Sequence, residues 1–171
     1  METMTSNSAT RHILIIVSRY YEDIASELMK GAKEALAASD ATYEEFEVPG
    51  ALEIPQALAA AVDNGLFDDE PDCYFHGVIV LGCVIRGETS HYDIVANESA
   101  SGVLRQAIKE CIPLGNGILT VETKEQAMKR AATSEGNKGK DAANACLRLI
   151  ELGAEFSAIA DDDHEEAGDD D

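Results

Sequence analysis

The sequence predicts an α/β fold: a single-domain three-layer α/β/α sandwich around a four-stranded, mainly parallel sheet. Three observations carry that expectation. "HILIIV" (His12 to Val17) and "GVIVLGCVI" (Gly77 to Ile85) are continuous β-branched apolar runs, the pattern of strands buried on both faces. Segments with helical periodicity follow each strand-like run, as right-handed crossovers between parallel strands require. Finally, 171 residues with 45% hydrophobic and 27% charged residues suffice for one aliphatic core, and Trp is absent.

Taken in order, His12 to Val17 is the first strand. Glu22 to Ser39 is the first helix, with Ile24, Leu28, Ala32 and Leu36 on one stripe. "TYEEFEV" (Thr42 to Val48) alternates and reads as a strand nearer an edge. "EIPQALAAAV" places Ile54, Leu58, Ala61 and Val62 on one face, and Pro55 is tolerated because it falls in the first turn. Gly77 to Ile85 is the third strand. A long helix from about Ser90 to Cys111 then turns Val95, Val103, Leu104, Ala107 and Ile108 inward. "GILTVET" (Gly117 to Thr123) is the fourth strand. "KEQAMKRAA" and "GKDAANACLRLIELGAEF" close the domain as helices, the second with Ala142, Ala145, Cys146, Leu149 and Phe156 on one side.

The organisation is a flexible segment over residues 1–10, a domain over 11–157 and an acidic disordered tail over 158–171. Of the formal charge of -20, "DDDHEEAGDDD" holds six Asp and two Glu, so the rest of the chain carries -12. A like-charged run without apolar partners does not repay its ordering entropy. Nucleic acid is not expected as a partner, since the tail and the body would both repel phosphates and no basic stripe interrupts the negative charge. No apolar run approaches the ~20 residues of a membrane span, and the start lacks a secretory signal, so the expected location is cytoplasmic. Cys73, Cys83, Cys111 and Cys146 stand far apart and read as buried structural thiols rather than a metal or disulfide framework.

In doubly wound folds, ligands bind outside the carboxyl ends of the strands. Here those positions are polar: "SRYYED", "VPGALEIP", "RGETSHYD" and "ETKEQAMKR", with "EGNKG" before the last helix. "RGETSH" has two readings. It is a helix start capped by Thr89 or Ser90, or an anion nest built from the N–H groups of Gly87, Glu88, Thr89 and Ser90. A phosphate there needs a cation opposite, for which Arg86, Arg130 and Lys138 are candidates. His91, one step inside the helix, is either a surface histidine or a proton shuttle working near neutral pH. Glu53 either complements the dipole of its own helix or accepts hydrogen bonds from a polyol or amine. There is no Walker motif, H-E-x-x-H, G-x-S-x-G or dinucleotide fingerprint, and no metal site is expected.

In their order and spacing, "VPGALEIP", "GCVIRGETSHYDIV", "GNGILTVET" with "EQAMKRA", and "GNKGKDAA" closely resemble the lumazine synthase family, from about His12 to Phe156. The resemblance implies a flavodoxin-like sheet. It also implies condensation of 5-amino-6-(D-ribitylamino)uracil with 3,4-dihydroxy-2-butanone 4-phosphate, without cofactor or metal. It makes His91 the catalytic proton-transfer residue, with Asp93 as its orienting partner. Arg130 would hold the phosphate with the N–H groups of Glu88 and Thr89 and the Thr89 side chain, and Lys138 would lie nearby. Tyr20 would stack on the pyrimidine, the Cys83, Val84 and Ile85 backbone would read its polar edge, and Glu53, beside Ala51 and Leu52, would bind the ribityl chain. Self-association is implied as well: a homopentamer or a multiple of it, with Tyr20, Glu53 and His91 from one chain meeting Asn116, Arg130 and Lys138 of the next. Riboflavin synthase is a further implied partner. Tyr20 stands where Phe or Trp is usual, and Tyr21, Leu52, Asn116 and Ser134 also differ from common family residues. Two other readings are a lumazine- or flavin-binding relative without turnover, and a structural cage.

Overall fold

A computed structural model describes residues 11–68 and 73–166. The expected segment 1–10 and the end of the expected tail, 167–171, lie outside the described residues. Four strands, β1 (His12–Ser18), β2 (Thr42–Val48), β3 (Gly77–Ile85) and β4 (Leu114–Val121), form one sheet in the order β2-β1-β3-β4. Every pairing is parallel, so the sheet is wholly rather than mainly so. Five helices connect and follow them: α1 (Glu22–Ala38), α2 (Glu53–Asp63), α3 (His91–Lys109), α4 (Lys124–Ala131) and α5 (Lys138–Glu166).

The two apolar runs behave as strands buried on both faces. Ile13, Ile15 and Val17 of β1 join Ile79, Leu81 and Cys83 of β3 in a core under α1, α4 and α5. Leu14 and Ile16, with Val78, Val80 and Val84, enter a second core under α2 and α3. Successive side chains of a strand point to opposite faces, which is why one uninterrupted apolar run serves both layers. β2 lies at an edge and stays largely exposed, including Phe46. Close approach of α5 to the rest depends on glycines. A Cβ on Gly139 would collide with the Leu28 carbonyl oxygen, and one on Gly115 with that of Ala142.

Three expectations are corrected. Leu104 and Ile108 of α3, and Ala145, Leu149 and Phe156 of α5, are exposed; the buried stripe of α5 runs through Ala142, Ala143, Cys146 and Leu147. The last helix does not stop at residue 157 but continues to Glu166, replacing the expected disorder over 158–166. Its physical reason is local: "SAIADDDHEE" contains neither Gly nor Pro, so nothing breaks the helix once α5 has been nucleated. Cys111 is exposed, unlike buried Cys83 and Cys146. Burial pushes the thiols of Cys83 and Cys146 up to about 12, which leaves both protonated and unreactive near neutrality.

Candidate active site

Two clefts hold the candidate residues, one at the carboxyl ends of β1 and β3 and one along the edge strand β4. The first, of about 360 Å³, is lined by Tyr20 and Tyr21 after β1, Gly50 to Glu53 before α2, Cys83 to Ile85 of β3, and Gly87, Thr89, His91, Tyr92 and Val95 at the start of α3. The second, of about 460 Å³, gathers Asn116 to Thr120 of β4, Arg130 of α4, and Lys138, Asp141, Ala142 and Ala145 of α5. Not one residue lines both. The structure therefore brings Tyr20, Ala51, Leu52, Glu53, Cys83, Val84, Ile85, Thr89 and His91 together, and places Asn116, Arg130 and Lys138 elsewhere in the same chain. Glu88 is exposed and lines neither cleft.

In the first cleft, the floor is the apolar end of β3, where Cys83 and Val84 are each 7% exposed. Tyr20, by contrast, is 73% exposed, with its ring edge-on to that of Tyr21 at 5.0 Å. A phenol face left open beside an apolar floor is a stacking surface for a planar ligand. Glu53 opens α2, and its carboxylate folds back over Gly50, where any Cβ would lie 2.8 Å from Oε2. Burial raises the pKa of Tyr21, chiefly by disfavouring the phenolate, so the cleft holds a neutral hydroxyl there.

His91 is the first residue of α3, exposed at the rim. Its backbone N–H donates to Thr89 Oγ1 at 3.3 Å, whereas Ser90 in the cap position makes no side-chain cap bond. Thr89 is thus the hydroxyl that caps. The N–H groups of Gly87, Glu88, Thr89 and Ser90 find no backbone acceptor among the described residues, which leaves donors and the positive end of the helix dipole facing outward.

Among the described residues no hydrogen bond joins Asp93 to His91, so the expected orienting contact is not formed. Asp93 accepts a hydrogen bond from Arg86 Nη2 at 3.2 Å, and Arg86 is also paired with Glu122 through Nε at 2.9 Å. Two carboxylates remove Arg86 from the candidates for a free phosphate-binding cation. Lys138 pairs with Asp141 at 2.7 Å within the first turn of α5. Arg130 differs: Nη1 donates to the Gln126 carbonyl of its own helix at 3.2 Å, and no carboxylate pairs with it among the described residues. A guanidinium whose charge is not already matched is the better anion ligand. Asn137, in the left-handed region at φ 43°, accepts the Lys140 N–H on Oδ1 and fixes the start of α5 beside it.

A family model described as 6,7-dimethyl-8-ribityllumazine synthase matches residues 10–154. The chain belongs to the 6,7-dimethyl-8-ribityllumazine synthase family. It is 54% identical over 141 residues to 6,7-dimethyl-8-ribityllumazine synthase 1 of Rhizobium meliloti (strain 1021), covering 82% of this chain and 90% of that one. It is 52% identical to the 6,7-dimethyl-8-ribityllumazine synthase of Azorhizobium caulinodans, covering 82% and 85%. With that of Agrobacterium fabrum (strain C58) it shares 50% identity, covering 82% and 93%. Membership in the lumazine synthase family accounts for the flavodoxin-like topology. Among the described residues there is no group of three or more His, Cys, Asp or Glu placed to hold a metal, and no helix long and apolar enough to cross a membrane.

Proposed function

We propose that the chain condenses 5-amino-6-(D-ribitylamino)uracil with 3,4-dihydroxy-2-butanone 4-phosphate to give 6,7-dimethyl-8-ribityllumazine, phosphate and water, a step of riboflavin biosynthesis. The observation that carries this reading is the first cleft: an open aromatic face, a carboxylate and a β3 backbone edge for a polar planar substrate, with His91 at the rim beside outward-facing N–H groups.

In the proposed mechanism, Tyr20 stacks on the pyrimidine, the backbone of Cys83, Val84 and Ile85 reads its edge, and Glu53 accepts hydrogen bonds from the ribityl hydroxyls. The 5-amino nitrogen adds to the ketone and water leaves, forming an imine. A proton is then taken from the carbon bearing the remaining hydroxyl as phosphate departs, leaving an enol that tautomerises to a ketone. Attack by the ribityl-bearing nitrogen and loss of a second water close the ring. His91 supplies and removes these protons, since an imidazole changes protonation near neutral pH. Arg130, Lys138 and the N–H groups of Glu88 and Thr89 hold the phosphate of the bound substrate.

Because the cation-bearing cleft shares no residue with the cleft of His91, we assign the complete site to a junction between neighbouring copies in a homopentamer or a multiple of one. An open groove lined by Leu104, Ile108, Cys111, Pro113 and Leu149, three of them large exposed apolar side chains, offers a surface for assembly. Steady-state formation of the lumazine, followed by its absorbance, tests the reading. Native chain turns over, and His91→Ala loses on the order of a hundredfold in kcat, the size of a lost proton-transfer group. A correctly assembled native protein that binds a lumazine or flavin yet makes no product would replace the enzyme by a binding protein.

A further inference from the structure

We infer that Arg86 is the positioning residue for His91, holding the first turn of α3 against the end of β4. This rests on the proposed proton-transfer role of His91.

Arg86 directly follows β3, and its backbone N–H donates to the Val121 carbonyl at 2.9 Å, so its Cα is fixed by the β3–β4 ladder. From that anchor the guanidinium makes three contacts. Nε lies 2.9 and 3.2 Å from the two oxygens of Glu122, the residue just after β4. Nη2 lies 3.2 Å from Asp93 Oδ1. The Arg86 Cζ stands 4.1 Å from the centroid of the Tyr92 ring, within cation–π range. Tyr92 and Asp93 are the two residues that follow His91, so one planar group spans from the sheet edge to the turn that carries the imidazole.

Little else ties that turn down from its outer side. Ser90 makes no side-chain cap bond, and a Cβ on Gly87 would meet nothing within 4 Å, so neither residue packs against another element there. The Tyr92 ring packs against the second core, and the Arg86 guanidinium lies over that ring. The geometry requires a fork: donors in two directions and a flat face for the ring, which guanidinium has and ammonium lacks. Substrate contact is not part of this role, since two carboxylates and a ring already occupy the guanidinium.

The test is kinetic, on assembled chains shown by mass and circular dichroism to match native. Arg86→Ala should lower kcat by about ten- to a hundredfold through misplacement of the imidazole, with KM for the phosphate substrate nearly unchanged. Arg86→Lys should recover only a part of the loss. Adding Arg86→Ala to His91→Ala should cost nothing further, because the first residue acts only through the second. A raised KM for the phosphate substrate with native kcat would instead make Arg86 a phosphate ligand. An additive double loss would make it a general structural support. Either result overturns the inference, as does a native-like Arg86→Ala. If His91→Ala itself turns over normally, the proton-transfer reading fails first, and that failure is visible without any Arg86 variant.

Discussion

Arg130 and Arg86 show how much a residue's neighbours decide. Both are arginines near the strand ends, and the sequence offers both as phosphate partners. Arg86 meets Glu122 and Asp93, whereas Arg130 meets a carbonyl of its own helix and no carboxylate among the described residues. Arg130→Ala should therefore raise KM for the butanone phosphate by about tenfold or more, the worth of a charge-assisted hydrogen bond, with a smaller effect on kcat. An unchanged Michaelis constant for that substrate would remove Arg130 from the phosphate site. The placement of His91 is legible in the sequence because a buried strand ends just before it, and strand ends are where such sheets bind ligands. The pairing of Arg86 is legible only in part: Asp93 stands seven residues on, but Glu122 arrives from 36 positions further along the chain, just after a neighbouring strand. The same holds for the capping hydroxyl: "ETSH" offers two, and only backbone geometry selects Thr89.

Elements built on strong local patterns are legible almost residue by residue. β2 and β3 have the bounds that alternating and β-branched runs indicate, β1 runs one residue past its apolar run to Ser18, and α1 buries the stripe that its spacing indicates. β4 is harder, beginning at Leu114 rather than Gly117, because "LGN" looks like a turn and becomes strand only by pairing with Val78 to Val80 of β3. α3 and α5 show a different limit. Helical periodicity marks Leu104, Ile108, Leu149 and Phe156 as apolar, but does not say whether the apolar face meets its own core or another surface. Packing of α5 yields a test at this scale. Gly115→Ala and Gly139→Ala each force a methyl group into a carbonyl oxygen of a neighbouring element, and should lower unfolding stability by about 1–3 kcal/mol in a urea titration. Gly153, with nothing within 4 Å, is the matched control, and Gly153→Ala should leave stability unchanged or raise it slightly. Equal effects at all three positions would contradict the close-packing account of α5.

For the whole molecule, the central fact is that the chain carries two halves of one proposed site and does not join them. His91 and the aromatic face line one cleft, Arg130 and Lys138 another. An exposed apolar groove supplies a reason for copies to associate despite a net charge of -20. Residue spacing carries the site only so far, since a junction between copies, as proposed, leaves no spacing within one chain. Co-assembly of His91→Ala chains with Arg130→Ala chains tests this most directly. Product formation is measured, at butanone phosphate well below the native KM so that Arg130→Ala chains alone are weak, for each variant alone and for an equimolar mixture unfolded and reassembled together. Sites at junctions predict that the mixture regains about a quarter of native activity, since random pairing gives that share of junctions an intact His91 and an intact Arg130. A mixture no more active than its components, with mixed assemblies shown by mass, would place both residues in a site within one chain and contradict the account.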